Sequence, residues 1–196
     1  MAGTWRLFIA VELPEEALRA IERLQDGLVR TMPGDAVRWV RPEGIHLTLK
    51  FLGDVPREQI DGIQAALGEA VRGHPPFALR AEGLGAFPNT RRPRVVWVGV
   101  EGDVRRLKEL RNDVEEHVAP LGYPTEDRSF TPHLTLGRVQ RDASRRELDA
   151  IGMAVETNTV GELARWQVDA VSLMRSELKP TGAVYTEVFA AGLGPG

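Results

Sequence analysis

Two histidines carry the chemistry this sequence could do. His46-Leu47-Thr48-Leu49 and His133-Leu134-Thr135-Leu136 are the same four residues, 87 positions apart, in a chain with four histidines. Imidazole changes charge near neutral pH, so one ring can give a proton while another takes one. Displacement at phosphorus needs both: a base for the attacking oxygen and an acid for the departing one. The two threonine hydroxyls could donate hydrogen bonds to the non-bridging oxygens, and an arginine could offset the charge that builds there. The scheme calls for no metal and no cofactor. Cysteine is absent, which removes a thiolate nucleophile, a disulfide framework and Cys-based metal sites. Zinc would need a third ligand, and neither motif contains an acidic residue or an H-E-x-x-H arrangement.

A single histidine on an alternating strand is usually structural; the repetition is what argues for function. His74, before Pro75-Pro76, and His117, near a helix end, read as surface residues. Ser129 and Ser144 lack the partners of a nucleophilic triad, and Gly83-x-Gly85 is too short for a phosphate loop. The net charge of −3 does not announce a nucleic-acid binder. Local arginines around 91–94 and 128–146 read mainly as solvated surface.

The elements that must position these groups follow from periodicity. Each motif alternates polar with leucine, so on a strand His and Thr share one face and the leucines the other. Strands are expected over residues 4–11, 37–40, 45–52, 77–84, 95–100, 131–139, 168–174 and 183–189. Prolines, glycines and a Pro180-Thr181-Gly182 turn punctuate them. Helices are expected after Pro14 (Leu18, Ile21, Leu24 and Leu28 inward), after Pro56, over 104–118, and after Ser144, whose partner Glu147 makes a capping box. Adjacent strands outnumber helices, which reads as α+β with largely antiparallel sheets. The doubled motif suggests two pseudo-symmetric halves. No linker divides them, so residues 1–196 are expected to form one domain with a shared core.

Hydrophobic residues make up 42% of the chain, enough for a globular core. No apolar run has the length of a membrane helix, and the charged N-terminal segment does not read as a signal peptide. A cytoplasmic monomer is expected.

The motifs carry a specific resemblance. His46-Leu-Thr48-Leu-Lys-Phe51-Leu-Gly53 and Phe130-Thr-Pro132-His133-Leu-Thr135-Leu-Gly-Arg138 resemble the paired H-x-T-x motifs of the 2H phosphoesterase superfamily. The most similar branch is the RNA 2′,3′-cyclic phosphodiesterases, also called the 2′-5′ RNA ligase family. Arg6-Leu-Phe8, Arg38-Trp39-Val40, Gly83-Leu-Gly85-Ala-Phe87-Pro88, Arg92-Pro93-Arg94 and Ser176-Glu-Leu-Lys-Pro180 extend the likeness over essentially the whole chain. The resemblance implies a bilobal α+β fold with outer helices and a central cleft. It implies metal-independent opening of a 2′,3′-cyclic phosphate, on RNA 3′ ends or nucleosides, to a 2′-phosphate. By the same resemblance His46 is the proton donor, His133 the proton acceptor, and Thr48, Thr135 and Arg138 bind phosphate. Phe51 holds the place in the first motif that Arg138 holds in the second. Strict alternation would point Arg138 away from His133, so its role requires the strand to bend near Gly137. Phe51 and Trp39 are candidates to touch the nucleoside, as are Phe8, expected mainly as core, and Phe87. Arg91, Arg92 and Arg94 could follow an RNA backbone. The alternatives are a 2′-5′ RNA ligase or nuclease acting on tRNA halves, and an RNA-end binder without turnover.

Overall fold

The computed structural model describes residues 3–180 and 182–194. Thr181, expected in the last turn, lies outside them. The elements run β1 (Thr4–Val11), α1 (Glu15–Thr31), β2 (Val37–Trp39), β3 (Leu47–Pro56), α2 (Ile60–Ala70), β4 (Phe77–Phe87), β5 (Val95–Gly102), α3 (Val104–Val118), β6 (His133–Val139), α4 (Arg145–Thr157), β7 (Ala164–Val168), β8 (Ala170–Lys179) and β9 (Gly182–Gly192). They form two sheets, ordered β3-β1-β8-β9 and β2-β6-β5-β4-β7. Every neighbouring pair is antiparallel. Helices α2 and α3 pack with the first sheet, α1 and α4 with the second.

Local signals explain the helices. Pro14 precedes α1, and Glu15 and Glu16 sit in its first turn, where the helix dipole favours anions. Its buried stripe runs Ala17, Ala20, Ile21, Gln25 and Leu28; the expected Leu18 and Leu24 are only partly buried. Ser144 and Glu147 form the capping box at α4. One hydrophobic cluster threads both sheets and all four helices, including Leu7, Ile9, Ile21, Leu47, Leu67, Leu110, Leu134, Ile151 and Leu173.

Three expectations are corrected. The last third holds a strand, β7, that is absent from the expected set; Trp166 and Val168 alternate inward on it, and the chain breaks at Asp169 before β8. Both motif strands begin later than expected, at Leu47 and His133. His74 is not a surface residue: its side chain is 16% exposed and its Nε2 lies 2.6 Å from Asp113 of α3.

Candidate active site

The motif strands β3 and β6 belong to different sheets, yet their Cα atoms come within 8 Å of each other. Each carries an irregularity at the same place. On β3, Thr48 pairs with Ala10, Lys50 with Ile9 and Phe51 with Phe8, so Leu49 is the extra residue of a β-bulge. On β6, Thr135 pairs with Trp97, Gly137 with Val96 and Arg138 with Val95, so Leu136 is extra. A bulge resets the two-residue alternation. Thr48 and Phe51 therefore share a face, as do Thr135 and Arg138. This supplies the bend that alternation alone denied to Arg138.

Each bulge is held from the core side. The Leu136 carbonyl accepts from the Val40 amide at 2.8 Å and from the buried Gln25 side chain of α1 at 2.9 Å. On β3 the bulge turns Lys50 inward, where it is 3% exposed. Its ammonium donates to Glu115 of α3 at 2.6 Å and to the Pro124 carbonyl at 2.5 Å. Glu115 also accepts from the Glu126 amide at 3.2 Å and pairs with Arg111 at 2.8 Å. The first motif is thus tied to the loop that leads into the second.

Aromatic rings line both histidines. His46 stacks on Phe8, with centroids 4.5 Å apart and planes 29° apart, and meets the edge of Tyr185 at 5.1 Å. Phe8 is buried, but in a small cluster with Ala10, Met174 and Tyr185 rather than in the main core. Phe51 lies 6.2 Å from Phe8 and is 62% exposed. His133 meets Phe87 at 4.8 Å, near perpendicular, and Trp97 at 6.2 Å. Gly85 makes room for Trp97: a Cβ there would stand 2.2 Å from the indole ring. Tyr185 and Trp97 are not among the residues the sequence singles out. The outward alternation of Val95, Trp97 and Gly99 on β5 was a signal for Trp97. Tyr185 had none, because its place depends on β9 closing the sheet beyond β8.

The two imidazoles differ. Burial lowers the His46 pKa to about 4. Burial also lowers His133; the Thr131 carbonyl opposes this, and the Arg138 charge adds to it. His133 Nδ1 lies 2.8 Å from that carbonyl, which can only accept, so Nδ1–H donates and neutral His133 keeps its Nε2 lone pair free.

Trp39 requires a correction. It pairs with Gly137, and a Cβ on Gly137 would lie 3.2 Å from its ring. Partly buried, it packs against the main core, on the face opposite its neighbour Arg38, because β2 alternates and Arg38 takes the side shared with Arg138. The 91–94 loop leans on α4: Thr90 bonds Glu156, and the Thr90 carbonyl presses on Gly152. Asn89 accepts from the Arg91 and Arg92 amides, and Arg94 reaches the Gln140 carbonyl at 3.4 Å.

Comparisons with known proteins agree with this arrangement. The LigT-like phosphoesterase family matches the chain twice, over residues 11–97 and 98–185, one motif in each. The chain is 38% identical over 184 residues to the RNA 2′,3′-cyclic phosphodiesterase of Methanothermobacter thermautotrophicus, covering 93% of this chain and 96% of that one. It is 37% identical to the protein of the same name from Thermus thermophilus, covering 92% and 86%. Among solved structures, the protein TT0787 of Thermus thermophilus superposes with a TM-score of 0.75 at 34% identity, covering 97% and 98%. E. coli LigT complexed with 3′-AMP gives 0.77 at 28% identity with the same coverage.

Proposed function

The chain belongs to the LigT-like phosphoesterase family, and from that premise we propose that it hydrolyses the 2′,3′-cyclic phosphate of an RNA 3′ end to a 2′-phosphate. His46 and His133 are its acid and base. The observation that supports this reading is the matched pair of bulged motif strands, which lie beside each other and each put Thr and the residue three beyond it on one face.

Water attacks phosphorus, and the free Nε2 of His133 takes its proton. The bond from phosphorus to the 3′ oxygen breaks as His46 protonates that oxygen, leaving a 2′-phosphomonoester. Thr48 and Thr135 donate to the non-bridging oxygens, and Arg138 offsets their charge. In the free protein burial keeps His46 neutral at pH 7. The anionic phosphate beside the ring favours its protonated form, so substrate binding itself loads the acid. Phe8 and Tyr185 pack on His46, and Phe87 and Trp97 on His133, so each ring is partly shielded from solvent.

Incubation with a nucleoside 2′,3′-cyclic phosphate in EDTA, followed by phosphorus NMR, tests the reading. The expected product is the 2′-phosphate. His46→Ala and His133→Ala each lower turnover ~10²-fold or more, with the fold retained by circular dichroism. Undiminished turnover in either variant overturns the two-histidine mechanism. A 3′-phosphate product reverses the assignment of the departing oxygen.

A further inference from the structure

Two arginines face each other on the second sheet with no counter-charge paired to either among the described residues. Arg38 of β2 pairs in register with Arg138 of β6, so their side chains leave the same face, the one that carries Thr135 and His133. Neighbouring strands are ~5 Å apart, and like charges directly opposite repel. Both residues are exposed, and neither makes an ion pair or hydrogen bond among the described residues.

The same sheet shows how such a pair is otherwise treated. Arg80 of β4 faces Arg165 of β7 directly. There Arg80 Nε binds Glu82 at 2.6 Å, and Arg165 binds Glu162 at 2.8 Å. Far from the motifs the repulsion is cancelled by carboxylates; beside them it is left standing. The Arg38 guanidinium also reaches the tip of the β8–β9 hairpin, 4.0 Å from where a Cβ on Gly182 would stand, with that of Arg41 at 3.1 Å.

We propose that Arg38, beside Arg138, is a second anion site that takes the phosphodiester preceding the terminal nucleotide, which makes this protein selective for an RNA strand over a cyclic mononucleotide. The proposal rests on the reading above, with the cyclic phosphate held between the histidines. That phosphate carries one negative charge and already meets two hydroxyls and Arg138. Arg138 lies three residues beyond Thr135, roughly 7–10 Å along the strand. Arg38 stands one strand further out, a displacement of the order of one nucleotide. An arginine fork suits a phosphodiester oxygen pair.

The test compares a trinucleotide ending in a 2′,3′-cyclic phosphate with a nucleoside 2′,3′-cyclic phosphate. The wild type is expected to prefer the trinucleotide in kcat/KM. Arg38→Gln is expected to reduce that preference about tenfold. It should also lower the salt slope of log(kcat/KM) for the trinucleotide by ~0.7, the value for one backbone contact on a single strand. Arg80→Gln, at the neutralised pair, should leave the ratio as it is. An unchanged ratio and slope in Arg38→Gln overturns the second site. An equal fall on both substrates also overturns it, because Arg38 would then serve the scissile phosphate. Fluorescence anisotropy with a labelled trinucleotide bearing a 2′-phosphate separates the two readings. If neither cyclic substrate turns over but this strand binds through Arg38, the anion site stands and the proposed hydrolysis fails.

Discussion

His46 and His133 occupy near-identical motifs but unequal surroundings. His46 lies between Phe8 and Tyr185, while His133 has its tautomer set by the Thr131 carbonyl. The inequality has a measurable consequence for stability. A histidine in the unfolded chain protonates near pH 6.5, whereas folded His46 does so at about 4. Between these values the unfolded chain takes up a proton that the folded protein refuses. Stability therefore falls as pH falls through that window and levels off below it, by about 3 kcal/mol from this group. Carboxylates titrate there too, so the useful quantity is a difference. Urea unfolding at pH 7 and pH 4 should show the wild type losing about 3 kcal/mol more than His46→Gln. Equal losses would mean that the ring is solvated. At this scale the sequence singles out His46, Thr48, His133, Thr135 and Arg138 because their types state a chemistry. It misled at Trp39, because an aromatic beside a motif looks the same whether its strand position points to ligand or to core.

The strand is where the pattern ceased to be readable. Period-two alternation predicts Phe51 and Arg138 on the leucine face; the bulges at Leu49 and Leu136 put them with the threonines. Nothing in His-Leu-Thr-Leu signals a bulge, since both leucines of each copy are buried. The capping box at α4 was legible because it is local, with donor and acceptor three residues apart. The strand β7 was not, since its partner β4 lies far away in sequence. The same bulge that frees Phe51 buries Lys50 against Glu115. Removing one member of a buried pair costs about 3–5 kcal/mol by leaving a charge uncompensated. Glu115→Gln should be the worse change, because Glu115 serves Lys50, Arg111 and the Glu126 amide together. Lys50→Met should fall at the lower end, since Glu115 keeps Arg111. Urea midpoints give both, and the reverse order would mean that Lys50, not Glu115, organises the cluster.

Across the whole molecule the sequence repeats and the lobes do not coincide. Counted from each motif strand, the sheets read β3-β1-β8-β9 and β6-β5-β4-β7, the same plan with β2 added at one edge. The first repeat nevertheless sends β4 into the second sheet, and the second sends β8 into the first. Likewise α1 follows β1 but packs on the other sheet, as α3 does after β5. The sequence showed a doubling, and it was natural to assign one copy to each lobe; connectivity over tens of residues decides otherwise.

That exchange of strands makes the chain a natural two-piece lock. A cut in the loop between β4 and β5 leaves each fragment with part of both sheets and all of neither. Separately, the pieces should lack cooperative structure by circular dichroism. Mixed, they should recover turnover in proportion to fragment concentration, so that activity reports whether the two pieces have met.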